Sequence, residues 1–191
     1  AELAVTPVSR NLLWLFQASK AVRKGDGETP DPARHAGVVG AGIMGAGIAW
    51  SLANAGIRTR MHDIDWDAVA RGMSSVAKSC TALVQRRKMT PSEMSLTMHR
   101  VGGTTDFSGF AAADIVIEAV PEDLDLKLNV LRDIEARVSR DTIICSNTSS
   151  LPLDELAREL EHPKRFVGLH FFNPVPRMPL VEVAPARKTS K

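Results

Sequence analysis

Two spacings of apolar residues alternate along the chain. Short apolar runs lie at residues 36–40, 114–120 and 142–146, whereas in residues 124–138 an apolar side chain recurs at every third or fourth position. The first spacing is typical of buried strands, and the second is typical of helices that cover a core. Alternating strands and helices predict an α/β fold with a doubly wound, mostly parallel sheet and flanking helices.

Turn and capping residues mark where the predicted elements begin and end. Gly56 ends one predicted helix, and Thr90, Pro91 and Glu93 are the cap, the first-turn proline and the third-position acid expected where another helix begins. The predicted strands cover residues 36–40, 57–63, 114–120, 142–146, 165–172 and 180–184. The predicted helices cover residues 43–55, 66–88, 124–138 and 153–161.

Residues 1–35 differ in pattern from the rest of the chain. Apolar positions within residues 9–22 predict a helix with Ser9 as its cap, and the glycine and proline residues within 24–35 predict an exposed loop. We therefore expect a linker helix and tether over residues 1–35, followed by one globular domain over residues 36–191.

Composition and charge exclude several classes of function. The 191 residues are 44% hydrophobic and 24% charged, with a formal net charge of +2, so nothing indicates nucleic-acid binding. Cys80 and Cys145 are too few for a disulfide scaffold or a cysteine zinc site, so we expect no metal and a reducing, cytoplasmic setting. No apolar run has the length of a transmembrane helix, and the run at residues 12–16 is too short for a signal peptide.

The stretch VVGAGIMGAGIAW, residues 38–50, carries the strongest chemical signal. Gly40, Gly42 and Gly45 have the spacing G-x-G-x-x-G between a predicted strand and a predicted helix. In that setting the first glycine permits a tight turn, the second lets a diphosphate approach the backbone, and the third lets the helix pack close to the sheet. The stretch predicts a Rossmann-like dinucleotide-binding fold; in the alternative, the glycines serve only helix packing.

Asp63 indicates which dinucleotide binds. It ends the second predicted strand, 23 residues after Gly40. A carboxylate at that position can accept hydrogen bonds from ribose hydroxyls and would repel a 2′-phosphate, so the sequence favours NAD over NADP. Arg58 and Arg60 lie within the strand rather than after it, which weakens the case for NADP.

His170 and Glu182 form a second candidate site. His170 lies at the carboxyl end of a predicted strand, where ligands bind in open α/β sheets, and Glu182 lies within the apolar stretch LVEVA. A carboxylate beside a histidine holds one imidazole tautomer and raises its basicity, so that the imidazole can take a proton from an alcohol. In the alternative, His170 is a core residue bonded to backbone and Glu182 faces solvent on an edge strand.

Two further polar segments follow predicted strands. Residues 146–150, SNTSS, either bind a ligand or cap the next helix, with Ser150 as the candidate cap. Glu122 and Asp123 either lie at the ligand edge of the sheet or begin the next helix, whose dipole favours acidic residues.

Four motifs in this order and spacing resemble the NAD-binding domain of the 3-hydroxyacyl-CoA dehydrogenases: GVVGAGIMGAGIA, IEAVPEDLDLK, SNTSSL and GLHFFNPVPRMPLVEV. The resemblance covers about residues 36–184, and HFFNP is its most discriminating part. The segment SRNLLWLFQASKAVRKG is also similar to the linker helix of multifunctional fatty-acid oxidation proteins, such as the bacterial alpha subunit.

The resemblance implies a role for each matching residue. His170 would be the catalytic base in the oxidation of a (3S)-3-hydroxyacyl-CoA to a 3-oxoacyl-CoA with reduction of NAD, and Glu182 would orient it. Ser149 would touch both substrate and nicotinamide. The implied cofactor contacts are Gly40, Gly42, Met44, Gly45, Asp63, Val120, Pro121, Glu122, Lys127, Ser149 and Asn173.

The resemblance also implies parts that this sequence lacks. The family has a helical domain after the LVEV strand, which supplies a dimer interface and an asparagine that binds the C3 oxygen of the substrate. Because the sequence stops at Lys191, we expect that substrate and dimerisation domain to be absent and the chain alone to turn over poorly. The implied partners of the full-length protein are a second copy of itself or a thiolase subunit.

Two alternative functions stay open at this point. One is an NAD-binding module that has no turnover in isolation. The other is a different NAD-dependent hydroxy-acid dehydrogenase, which would share the glycine motif but not HFFNP.

Overall fold

The computed structural model describes residues 6, 9–11, 14 and 31–190. Residues 9–11 and 14 are helical, but most of the helix predicted over residues 9–22 and most of the tether predicted over 24–35 lie outside the described residues. The division of the chain at residue 35 therefore stays a prediction. All elements below belong to the compact unit that begins at Ala33.

Seven strands form one sheet in the order β3-β2-β1-β4-β5-β6-β7. The first six are parallel, and β7 runs antiparallel to β6. The chain therefore winds outwards from β1 in both directions, which is the predicted doubly wound, Rossmann-like arrangement. The strands are β1 (His35–Val39), β2 (Arg58–His62), β3 (Val101–Thr104), β4 (Ile115–Glu118), β5 (Ile143–Ser146), β6 (Phe166–Phe171) and β7 (Val181–Pro185).

Helices cover both faces of the sheet. They are α1 (Ile43–Asn54), α2 (Trp66–Gln85), α3 (Pro91–His99), α4 (Leu124–Glu135) and α5 (Leu153–Arg158), with short 3₁₀ turns at Phe110–Ala112, Pro163–Arg165 and Val175–Arg177. Among the described residues, no helix is both long and apolar enough to cross a bilayer.

Each face of the sheet has its own hydrophobic core. Val38 packs in one core with side chains of α1 and α2, and its neighbour Val39 packs in the other with side chains of α4 and α5. Successive strand residues point to opposite faces, so a strand with helices on both sides must be apolar at every position. This is why the central strands appear in the sequence as continuous apolar runs.

The strand β3 was not predicted, and its sequence explains why. It reads VGGT, and Gly102 and Gly103 provide no side chain from which an alternating pattern could be recognised. A Cβ on Gly103 would lie 2.3 Å from Cγ1 of Val69 on α2. The glycine therefore lets α2 pack directly on the backbone of this edge strand.

Three helices end earlier than predicted. The predicted end of α2 at residue 88 is wrong, because Arg87 adopts a φ of 55° and the N–H groups of Arg87 and Lys88 donate to carbonyl oxygens of the last turn. Glycine is the usual residue at such a turn, so an arginine gives no signal in the sequence. Similarly, α4 ends at Glu135 rather than 138, and α5 ends at Arg158 rather than 161.

The predicted start of α3 is confirmed. The Thr90 hydroxyl accepts the N–H of Glu93, and the Glu93 carboxylate accepts the N–H of Thr90, which is a complete capping box. Pro91 occupies the first helical position, where its missing N–H costs nothing.

We predict that Thr90→Ala lowers the free energy of unfolding by about 1 kcal/mol, because the first turn of α3 then loses its acceptor. Urea denaturation of the chain measures this change. Thr81→Ala is the matched control, since Thr81 is an exposed residue near the carboxyl end of α2 whose hydroxyl donates to a carbonyl of its own helix. An equal loss of stability in both variants would contradict the capping assignment.

Candidate functional site

A cleft of about 830 Å³ lies at the carboxyl ends of the parallel strands. Its walls come from the loops that follow β1, β2, β4, β5 and β6, so the order of the strands brings together residues far apart in sequence. Of the predicted site residues, those that line the cleft are Gly40, Gly42, Met44, Asp63, Val120, Pro121, Glu122, Lys127, Ser149, His170 and Asn173. Gly45 and Glu182 lie behind the lining, where Gly45 contacts the backbone of Gly40 and Glu182 contacts His170.

The glycine loop, residues 40–45, has room for side chains at only one of its three glycines. Gly40 adopts a φ of +103°, and a Cβ on it would lie 2.7 Å from the carbonyl oxygen of Ala119. A Cβ on Gly45 would lie 1.7 Å from the carbonyl oxygen of Gly40. Gly42, by contrast, has nothing within 4 Å of its Cβ position. Gly40 and Gly45 thus serve the turn and the packing, while Gly42 leaves open space for a ligand.

The amino end of α1 opens into this cleft. Gly42 is the N-cap and makes no side-chain cap hydrogen bond, and no acidic residue occupies the first turn. The first N–H groups of a helix have no partner within the helix, and the helix dipole places partial positive charge there. Backbone donors and dipole together favour a phosphate group beside Gly42.

Asp63 connects the end of β2 to the glycine loop. Its Oδ2 accepts the N–H of Ala41 at 2.7 Å, and its Oδ1 accepts the N–H of Ile64. The carboxylate is therefore held at the edge of the cleft by two backbone donors. Each oxygen retains further lone pairs for a ligand hydroxyl, because an ionised carboxylate has about four acceptor positions.

Glu122 gathers the loop that follows β5. Its Oε1 accepts the Thr148 hydroxyl at 2.6 Å, the N–H of Ser149 at 2.9 Å and the N–H of Ser150 at 3.0 Å. Burial acts to raise the pKa of Glu122, but these donors and the nearby Lys127 charge outweigh it and hold the pKa at about 2. Glu122 is thus an anion at neutral pH, and it orders the SNTSS segment beside the cleft.

The predicted capping role of Ser150 is wrong. The N-cap of α5 is Pro152, without a side-chain cap, and the Ser150 N–H and hydroxyl both donate to Glu122. Thr148 instead accepts the N–H of Leu151 at 3.0 Å. Asp123, in contrast, does cap its helix, since its carboxylate accepts the N–H of Leu126 at the start of α4.

His170 and Glu182 face each other across the antiparallel pair β6 and β7. His170 Nδ1 lies 2.9 Å from Glu182 Oε2, and the side chains are 26% and 58% exposed. The alternative of a histidine bonded only to backbone is therefore wrong, whereas its second half holds, because Glu182 lies largely exposed on an edge strand. Because the carboxylate accepts, Nδ1 carries the proton and Nε2 is the basic nitrogen.

The backbone around His170 is held from two sides. Asn147 Oδ1 accepts the N–H of Phe171 at 2.8 Å, which ties the loop after β5 to β6. On the other side, Val175 packs against Gly47 of α1, where a Cβ would lie 2.9 Å from the Val175 Cβ. The Asn173 segment therefore lies between β6 and the helix that begins at the glycine loop.

Sequence reasoning missed Glu118 and the individual role of Asn147. Glu118 ends β4, is fully buried and accepts hydrogen bonds from Lys127 and Ser146. The signal was present, since Glu118 lies in the apolar run DIVIEAV, and a carboxylate there is as costly without a partner as the one in LVEVA. Within the described residues, no cluster of three or more metal-ligating side chains occurs.

Residues 35–191 match the family described as 3-hydroxyacyl-CoA dehydrogenase, NAD binding domain. The chain belongs to this family. The resemblance found in the motifs is thereby confirmed, and so is the Rossmann-like fold class. NAD is the cofactor of this domain family, and the open space at Gly42, the amino end of α1 and the strand-end carboxylate Asp63 are features that a dinucleotide requires.

Known proteins with similar sequences are longer than this chain. The fatty acid oxidation complex subunits alpha of Psychrobacter arcticus and Acinetobacter baylyi are each 43% identical to it over its whole length, and the chain spans 27% of each of them.

Solved structures show the same fold. The (S)-3-hydroxybutyryl-CoA dehydrogenase of Ralstonia eutropha is similar over 84% of this chain and 56% of its own, with 42% identity and a TM-score of 0.82. The 3-hydroxybutyryl-CoA dehydrogenase of Escherichia coli is similar over 83% of this chain and 34% of its own, with 36% identity and a TM-score of 0.80.

We predict that alanine lowers stability at one glycine of the loop and weakens NADH binding at another. Gly45→Ala should lower the free energy of unfolding by about 3 kcal/mol or more, because its Cβ overlaps a backbone oxygen. Gly42→Ala should change stability by no more than about 0.5 kcal/mol but weaken NADH binding more than about tenfold, because its Cβ occupies the open space. Urea denaturation and NADH fluorescence titration measure the two quantities. Unchanged NADH affinity in folded Gly42→Ala would contradict the placement of a phosphate group beside Gly42.

We predict a pH-dependent stability difference between the unchanged chain and Glu122→Gln. A carboxylate whose pKa is depressed in the folded state stabilises the fold above its ordinary pKa of 4.5, and this stabilisation is lost as the pH falls towards 2. The unchanged chain should therefore have the higher Tm at pH 7, and the difference should narrow between about pH 4.5 and pH 2. Glu155→Gln, at an exposed position of α5, is the control and should show no such trend. A difference in Tm that stays constant down to pH 2 would contradict the lowered pKa of Glu122.

Proposed function

We propose that this chain is the cofactor-binding and catalytic-base domain of an NAD-dependent (3S)-3-hydroxyacyl-CoA dehydrogenase that acts in fatty-acid β-oxidation. The observation that carries this proposal is the His170–Glu182 pair, 2.9 Å apart, at the same cleft that the glycine loop lines. Family membership supports the cofactor, and the pair supplies a base for the alcohol that is oxidised.

His170 would take the proton of the substrate hydroxyl. Oxidation of a secondary alcohol to a ketone removes the hydroxyl proton and a hydride from the same carbon. Nε2 of His170 is the basic nitrogen that accepts the proton, while the bond between Nδ1 and Glu182 keeps the ring in the correct tautomer. NAD, when bound, supplies the hydride acceptor, so the products are a 3-oxoacyl-CoA, NADH and a proton.

The remaining site residues would hold the cofactor in place. Gly40, Gly42, Met44 and Gly45 would form the phosphate loop, and Asp63 would contact the adenosine ribose. Residues 120–122, with Lys127 and Asn173, would lie along the nicotinamide half, and Ser149 would touch both nicotinamide and substrate. Ten of these residues and His170 line one cleft, which is the geometric support for treating them together.

The proposed partners rest on the names of the relatives, and the proposed location rests on the cysteines. Two of them are named as alpha subunits of a fatty acid oxidation complex, and we propose that the protein containing this chain likewise works as an oligomer or with a thiolase subunit. We also propose that it works in the cytoplasm, since the two buried cysteines are unpaired, as is usual in a reducing compartment.

One observation favours a second candidate, an NAD-binding module that turns over only with further protein. Glu182 is 58% exposed, and the neighbouring Val183 and Leu180 are apolar but 67% and 46% exposed. The edge strand that carries Glu182 is therefore open to solvent and bears exposed apolar side chains. Within this chain no described residue covers it.

The first test is a fluorescence titration of the chain with NADH and, separately, NADPH. Saturable binding with NADH clearly preferred is expected, because Asp63 repels a 2′-phosphate. Absence of binding to a demonstrably folded chain, or a preference for NADPH, would contradict the proposal.

The second test uses the complete polypeptide that carries this chain. His170→Gln should lower kcat for a 3-hydroxyacyl-CoA by at least about a hundredfold while leaving the Kd for NADH within about twofold, because only proton transfer is lost. Thr81→Ala, which removes an exposed hydroxyl of α2 that does not line the cleft, is the control for nonspecific damage. Turnover that survives in His170→Gln would show that another group is the base.

A further inference from the structure

We propose that Glu118 is a positioning residue for the cofactor half of the cleft, which it organises by anchoring Lys127 beneath the segments 119–123 and 146–150. The inference deepens the proposed function and rests on it, because the two segments that Glu118 holds in position are ones that would contact NAD. Glu118 itself does not line the cleft.

Glu118 is enclosed and fully paired. It is 0% exposed and ends β4 at the centre of the sheet. Its Oε1 accepts Lys127 Nζ and the N–H of Val120, both at 2.7 Å, and its Oε2 accepts the Ser146 hydroxyl at 2.6 Å. One carboxylate therefore contacts the segment after β4, the end of β5 and helix α4.

Lys127 connects Glu118 to two residues of the cleft wall. Its side chain is 1% exposed, and Nζ also donates to the carbonyl oxygen of Val120 at 3.0 Å and lies 3.4 Å from Glu122 Oε2. An ammonium group has three N–H donors, and here three oxygens of the protein surround it. Lys127 thus acts on the cleft by fixing Val120 and Glu122.

Glu122 in turn fixes the segment that contains Ser149, through the three hydrogen bonds described above. A continuous path of polar contacts then leads from Glu118 through Lys127 and Glu122 to Ser149. Both cleft segments are tied to one buried carboxylate, so a change at Glu118 reaches residues that would touch the cofactor.

The charges explain why Glu118 rather than Glu122 is the anchor. A buried ammonium needs a counter-charge close by, because an unpaired buried charge is strongly destabilising. Glu118 supplies it inside the protein, at the shorter distance of 2.7 Å against 3.4 Å. Glu122 can therefore keep its own hydrogen bonds to residues 148–150 at the cleft wall.

The test compares Glu118→Gln, Lys127→Met and the double variant in the 191-residue chain. A second ion pair, between Arg165 and Glu135, is also nearly buried. It lies at the amino ends of the strands, whereas the cleft lies at their carboxyl ends. Glu135→Gln is therefore the matched control for loss of a buried pair away from the cleft. Urea denaturation gives stability, and NADH titration gives the Kd of each folded variant.

We expect both single variants to lose stability, and the double variant to regain much of it because no unpaired buried charge remains. We expect the Kd for NADH to rise in folded Glu118→Gln, which leaves Lys127 in place, and to stay raised by about tenfold in the double variant, since Val120 and Glu122 have still lost their donor. Glu135→Gln should lose stability but keep the Kd of the unchanged chain. In the complete polypeptide, the double variant should raise the KM for NAD more than the KM for the acyl-CoA, because Ser149 is the one residue of the disturbed segments that would also touch substrate.

Four outcomes would overturn the inference. If the double variant recovers NADH affinity together with stability, the pair serves only the fold. If Glu135→Gln weakens NADH binding equally, the effect is a general loss of stability. If the unchanged, folded chain binds no NADH, the proposed function fails and the inference fails with it, whereas normal binding by the unchanged chain and by all variants removes the inference alone.

Discussion

The contact between Gly40 and Gly45 is the constraint on which both ends of the cleft depend. A Cβ at position 45 would lie 1.7 Å from the Gly40 carbonyl oxygen, so α1 can begin directly behind the turn only because that atom is missing. This start brings the amino end of α1 into the cleft. Further along the same helix, Gly47 accommodates Val175 and so holds the connection that follows His170. One helix therefore positions the phosphate loop and the region of the base.

Acid groups gather at the carboxyl ends of the strands, and the fold tolerates them because each meets donors of the protein. Glu118 is bonded by Lys127 and Ser146, and Asp63 by backbone N–H groups of the glycine loop and its own turn. Glu122 would have a raised pKa from burial alone, yet its donors bring the pKa to about 2. Because an unpaired buried charge is costly, these donors are what allows carboxylates to lie beside a cleft into which the amino end of α1 opens.

The parts of the site that depend on local backbone rules could be predicted from the sequence, as could the doubly wound sheet. The glycine spacing and the position of Asp63 after a strand are such rules. The parts that depend on competition between distant segments could not be predicted. Ser150 has a suitable capping side chain, but Glu122, 28 residues earlier, takes both its donors. The strand β3 was not predicted for a different reason: Gly102 and Gly103 have no side chains that could form an alternating pattern.

Glu182 acts on His170 by orienting the imidazole through a hydrogen bond more than by its negative charge. With 58% of the carboxylate side chain exposed, water screens its attraction for the imidazole, and exposed ion pairs contribute only about 0–1 kcal/mol. The hydrogen bond between Nδ1 and Oε2 is set instead by the antiparallel register that places the two residues opposite each other. That bond keeps the proton on Nδ1 and leaves Nε2 free. In the proposed reaction, the register of an edge strand therefore decides which nitrogen of the base can receive the hydroxyl proton.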